Sequence, residues 1–272
     1  MASFGQIIFC SMITLIVLFS TVIILILALT FSDSSSEVVS TNTTPIGNLG
    51  KDELLSCYLN TVSGQAKLTQ MSVTWEKKEL SGLVYKYEDG APDLEDQNSQ
   101  FKGRTQLFPR ALVTGNASLL LRAVRSSDEG EYTCSISSSD AEGEVNIHLR
   151  TAAFSAPTFK FSNGVLVAEA SRWFPKPNVT WSDFDDNVLK GSTSFTQNSA
   201  GIFNVVSTLQ PVNVSDTYNC RIENKLVIAI SKAIITGSGV SGNTYFINAA
   251  SSLLASTYMS IMTIVLCIYY LA

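Results

Sequence analysis

The chain has 272 residues, 46% of them hydrophobic, with a net charge of −5 and a single histidine. An acidic chain with no basic stripe excludes nucleic acid as its partner, because phosphate binding needs clustered Lys and Arg. One histidine and cysteines without metal-ligand spacing argue against Ser-His-Asp or Cys-His catalysis and against a zinc site, so no enzyme activity, metal or cofactor is expected.

The first element is apolar. From Ile7 to Phe31 there is no charge, and no Lys or Arg precedes Lys51. Residues 1–34 therefore read as a signal peptide or as an uncleaved signal-anchor, with small residues at Thr30, Ser32 and Ser34 offering cleavage sites. A second uncharged segment at 253–272 favours the cleaved form. Between the two lie four N-x-S/T acceptors, at Asn42, Asn116, Asn178 and Asn213, which mark the intervening chain as a lumenal or extracellular glycoprotein.

From 37 to 150, apolar residues alternate with polar ones in Leu55-Cys57-Leu59, Met71-Val73-Trp75, Leu119-Leu121, Tyr132-Cys134-Ile136 and Val145-Ile147-Leu149. Short period-two runs separated by polar turns predict an antiparallel sandwich. Cys57 and Cys134 would face each other across its core, and Trp75 would pack on their bridge. In "SSDEGEYTC", Tyr132 stands two residues before Cys134, the position of a tyrosine corner whose hydroxyl returns to the backbone near Asp128. Arg104, from "FKGRTQLF", is the expected ion-pair partner of Asp128. The wide cysteine spacing leaves room for two more strands, one supplied by "LSGLVYKYEDG", which is the variable-type arrangement of an immunoglobulin domain. The acidic turn "DLEDQNSQ" lacks the calcium-loop pattern and reads as a solvated turn.

From 152 to 236 the same plan recurs with shorter, constant-type spacing. "SNGVLVAEASRWFPKPNVTW" carries a strand into Trp181, and "TYNC" ends at Cys220. The position where the first half-cystine of such a domain belongs is Ala168, which alternates with Leu166 and Ala170. Cys220 is then left as an unpaired, buried thiol against Trp181, inert because an apolar site disfavours the thiolate. The expected architecture is all-β: two tandem immunoglobulin-like β-sandwiches, variable-type then constant-type, between two hydrophobic terminal segments.

After Thr236, residues 237–252 are expected to be a stalk. Asn248, Ala249 and Ala250 followed by a spacer and an apolar tail fit a glycosylphosphatidylinositol signal with Asn248 as the attachment site. The same 253–272 segment is also long enough to span a bilayer. Either way the protein is expected to be membrane-anchored, at the plasma membrane, with its domains outside. No charged residue follows Lys232, which argues against an inward-signalling receptor.

A variable-type domain with "GRTQLF" and "DEGEYTC", followed by a constant-type domain with "RWFPKPNVTW" and "TYNC", resembles the B-seven and butyrophilin group of immune-regulatory ligands over 37–236. The resemblance implies a cell-surface ligand that engages a T-cell surface receptor and restrains T-cell activation, using the front sheet of the distal variable domain. If Trp75, Cys134 and Ile147 point inward, alternation turns Thr74, Glu76, Thr133, Ser135, Asn146 and His148 outward onto that face. Tyr85 and Tyr87, on the neighbouring strand, are expected to join them. The lone His148 reads as a surface residue of this row rather than a ligand or base. The "SSSDAEG" loop, 137–143, is either an ordinary hairpin or part of the contact. The alternative reading is an immunoglobulin-type cell-adhesion protein, homophilic or heterophilic.

Overall fold

A computed structural model of the chain describes residues 19–23, 37–60, 71–138, 142–237 and 239–248. The terminal segments 1–18 and 253–272, which hold Cys10, Cys267 and most of the signal and anchor regions, and positions 139–141 of the hairpin loop lie outside the described residues. Among the described residues no helix is long and apolar enough to cross a membrane.

The first domain comprises β1 (Glu37–Val39), β2 (Ile46–Asn48), β3 (Glu53–Leu55), β4 (Tyr58–Asn60), β5 (Ser72–Lys77), β6 (Tyr85–Glu88), β7 (Ala91–Pro92), β8 (Thr105–Gln106), β9 (Leu119–Leu121), β10 (Gly130–Ser137) and β11 (Glu142–Ala152). Its front sheet has the order β2-β11-β10-β5-β6-β7, and a back sheet has the order β3-β9-β8. Only one side of each sheet meets the core, so the apolar half of each alternating run turns inward. Val73, Trp75, Tyr132, Cys134 and Ile136 are buried from the front, as are Leu55, Leu119 and Leu121 from the back.

The Leu55-Cys57-Leu59 run is broken into two short strands, with β3 pairing to β9 and β4 to β1. The break is tolerated because both backbone groups of Cys57 find partners: its amide donates to the Ser118 hydroxyl at 3.1 Å, and its carbonyl accepts the Ala117 amide at 2.9 Å. Cys57 is bonded to Cys134 across the core. The Trp75 indole donates to the Ala117 carbonyl at 3.1 Å.

One end of this sandwich is closed by charge. Arg104 donates from one guanidinium nitrogen to Asp128 at 3.1 Å and from the other to the second carboxylate oxygen, and Asp128 is fully buried. Burial works to raise the Asp128 pKa, but hydrogen bonds from Arg104, the Arg125 amide and Gln100 outweigh it and hold the carboxyl below its ordinary range. The Tyr132 hydroxyl donates to the Asp128 backbone carbonyl at 2.6 Å, completing the corner.

The second domain comprises β12 (Thr158–Ser162), β13 (Val165–Trp173), β14 (Asn178–Ser182), β15 (Val188–Leu189), β16 (Ser192–Gln197), β17 (Phe203–Leu209), β18 (Thr217–Glu223), β19 (Val227–Thr236) and β20 (Gly239–Asn248). Its two sheets run β12-β13-β17-β16 and β15-β14-β18-β19-β20. Leu166, Ala168 and Ala170 share the buried face of β13, and Trp181 pairs with Cys220 between β14 and β18. Cys220 is buried as a free thiol, and burial pushes its pKa up to about 12.

The stretch expected as a stalk from 237 differs from that reading. Residues 239–248 fold back as β20 and pair antiparallel with β19 along its whole length, from Thr236↔Gly239 to Val227↔Asn248. Gly237, at φ +59, makes the tight reversal possible. β20 also crosses toward the other sheet: a Cβ on Gly242 would stand 2.6 Å from the Phe159 ring of β12, so only glycine permits this approach. At its far end Phe246 packs on Phe154 of the inter-domain linker, with ring centroids 5.2 Å apart, and the Asn248 amide donates to the Thr44 carbonyl at 3.4 Å. The segment carries no charge, and by pairing with β19 it covers the hydrogen-bonding edge that β19 would otherwise leave open.

Candidate interaction surface

The front sheet of the first domain presents its polar half outward. β5 and β10 pair with Thr74 opposite Ser135 and Glu76 opposite Thr133. β10 and β11 continue the rows, with Thr133 opposite Asn146 and Glu131 opposite His148. Glu76, Asn146 and His148 are exposed, and Thr74, Thr133 and Ser135 are half-buried between longer neighbours. The Thr133 hydroxyl donates to the Asn146 side-chain carbonyl at 2.8 Å, which fixes the centre of the sheet.

Tyr85 and Tyr87 do not join this row. The register of β6 places Tyr85 opposite Trp75 and Tyr87 opposite Val73, so both rings turn into the core, where they are 5% and 4% exposed. Strands paired in register share their facing, and Trp75 already defines the inward side. The outward residue of β6 that alternation along one strand could not locate is Lys86, opposite Thr74. The intervening loop sets this register, and its length gives no clue to it.

The charges on the face are unevenly matched. Lys86 pairs with Glu88 at 2.6 Å and Asp93 at 3.2 Å, and Lys78 pairs with Glu131 at 2.9 Å. The Lys78 hydrogen bond holds the Glu131 carboxyl below its ordinary range. Glu76, Glu142 and Glu144 have no ion-pair partner among the described residues, so the face carries net negative charge. Among the described residues no group of His, Cys, Asp and Glu side chains could hold a metal ion.

The sequons fall elsewhere. Asn42, Asn178 and Asn213 are exposed, and Asn116 is half-buried just before β9 of the back sheet, its side-chain oxygen accepting the Ser118 amide at 3.0 Å. Asn248 ends β20.

Residues 40–151 match the immunoglobulin V-set domain family. Residues 159–229 match the family described as butyrophilin subfamily 3 member A2-like, Ig-C domain. A human protein, V-set domain-containing T-cell activation inhibitor 1, is 36% identical over 272 residues, covering 96% of this chain and 95% of that protein. The chain belongs to this family. The rat and mouse proteins of that name are each 39% identical over 249 residues, covering 88% of this chain and 87% of theirs. The V-set domain-containing T-cell activation inhibitor family is one of immunoglobulin-superfamily ligands and not of enzymes. The two matched segments coincide with the two sandwiches, and the front sheet described above belongs to the V-set segment.

Proposed function

We propose that this chain is a cell-surface ligand that restrains T-cell activation by binding a receptor on the T cell through the front sheet of its variable-type domain. Its relatives carry T-cell activation inhibition in their names. The observation that carries the surface assignment is the polar row Thr74, Glu76, Thr133, Ser135, Asn146 and His148, set on one face of three hydrogen-bonded strands. A flat, mixed polar face on rigid strands suits a reversible, non-obligate contact. A glycan on Asn116 would stand beside the opposite sheet and leave the row open. In this reading Asn42, Asn178 and Asn213 carry glycans as well, and the apolar 253–272 segment holds the protein to the plasma membrane, as a lipid-anchor signal acting at Asn248 or as a spanning helix.

The test is a soluble fusion of residues 37–248, applied to activated T cells. Wild type should stain them and suppress their proliferation, and Ser135→Arg should abolish both while leaving the thermal midpoint unchanged. Absence of staining and suppression, with self-aggregation of beads coated in the wild-type fusion, would replace this reading with homophilic adhesion.

A further inference from the structure

On the front sheet an open depression of about 510 Å³ lies between the β5-β10-β11 rows and the loop that joins β5 to β6. Its floor is the row Glu76, Thr133 and Asn146, and its wall is Leu80 and Leu83. Gly82 borders it too, and the loop needs glycine there: at φ +84 a Cβ would meet the Asp96 carbonyl at 2.9 Å. The two lysines that border the depression are already committed. Lys78 pairs with Glu131, while Lys77 donates to the Ser127 carbonyl at 2.6 Å and lies over the Tyr132 ring, on the other side of the strand.

We infer that this depression receives an arginine side chain of the T-cell receptor partner, an inference that rests on the front-sheet reading above and gives that contact its chemistry. The floor offers acceptors: the Glu76 carboxylate, which has no ion-pair partner among the described residues, and the Asn146 carbonyl, whose one bond from Thr133 leaves a lone pair free. The two flank Thr133 on adjacent strands, and neighbouring strands lie about 4.8 Å apart, so a planar guanidinium over Thr133 stands between them. The Leu80 and Leu83 wall suits the apolar stem of such a side chain. An acidic anchor would be repelled by Glu76 and Glu131. A phenylalanine would cover the carboxylate without supplying a donor, and tyrosine or tryptophan would supply one donor and no charge. Lysine would offer a point charge where acceptors on two strands ask for a fork.

The experiment uses the full chain in lipid nanodiscs with methyl-labelled leucine, titrated with N-acetyl-arginine amide and followed by NMR at Leu80 and Leu83. Saturable shifts at these two residues are expected. They should weaken by about tenfold with the citrulline derivative, which keeps the shape and loses the charge, and by about tenfold in Glu76→Gln, the scale of one charge-assisted hydrogen bond. The remaining leucine signals of Glu76→Gln report that it is folded. Absence of shifts with arginine, or a lower midpoint with N-acetyl-phenylalanine amide, overturns the inference. A second arm measures adhesion of cells displaying the full chain to activated T cells. Loss with Ser135→Arg and weakening with Glu76→Gln support the inference. Loss with Ser135→Arg alone overturns the arginine anchor and keeps the front-sheet contact. No loss with either variant removes the front-sheet reading itself, and with it the role of the depression in recognition.

Discussion

Trp181 of β14 and Ser207 of β17 join the two sheets of the constant-type domain through one hydrogen bond, indole to hydroxyl, at 2.8 Å. Ser207 lies opposite Ala168, and Trp181 lies opposite Cys220. A polar tie therefore crosses the core at the level where the first domain has its disulfide. Ser207→Ala should leave the buried indole N–H without an acceptor, at a cost of about 1–3 kcal/mol. Chemical denaturation of the ectodomain should show the loss in the second domain's transition, and an unchanged midpoint would show the tie to be dispensable.

Ala168→Cys should restore the missing bridge to Cys220. The loop it would close is long, and the chain-entropy account puts the gain at roughly 4 kcal/mol before native strain is subtracted. Mass spectrometry reads the bond and thermal unfolding reads the gain, with no change expected in T-cell staining. In the wild type, burial raises the Cys220 pKa to about 12, so iodoacetamide at pH 8 should label this thiol only after unfolding. Labelling of the native protein would place Cys220 outside the core.

Breaking the Arg104–Asp128 pair should be costly, because the partner left behind is buried. Arg104→Met is expected to lose about 3–5 kcal/mol. The folded pKa of Asp128 lies below its unfolded value, so the stability it contributes is present above the ordinary carboxylate range and is lost as pH falls through the folded value. The gap between wild type and Asp128→Asn should accordingly be full at pH 7 and shrink in acid. A gap that widens as pH falls would contradict the assigned direction.

Gly242→Leu tests whether β20 belongs to the domain. The new side chain would collide with Phe159, and overpacking of this kind costs about 1–3 kcal/mol. Hydrogen exchange should quicken in β19, whose outer edge β20 covers, and the first domain should be unaffected. Equal protection of β19 in both proteins would mean that β20 contributes nothing to its edge.

Several features were legible from the sequence alone because they depend on local periodicity and on residues whose chemistry admits few placements. Alternation set the facing of Val73, Trp75, Tyr132, Cys134 and Ile147, and the order Cys57, Trp75, Arg104, Asp128, Tyr132, Cys134 determined the variable-type plan with its closing ion pair. The facing of Ala168 followed in the same way from its neighbours on one strand. Inter-strand register and the fate of a mildly polar tail were decided only in three dimensions. Tyr85 and Tyr87 could alternate either way until the loop between β5 and β6 fixed which residue stands opposite Trp75. Residues 239–248 read as a stalk because they carry no strong core signal, yet the exposed hydrogen-bonding edge of β19 and the space that Gly242 leaves for Phe159 make them a strand. Periodicity along one chain fixes which side chains share a face. Which face meets the core, and which edge is covered, depends on a partner strand that is distant in the sequence.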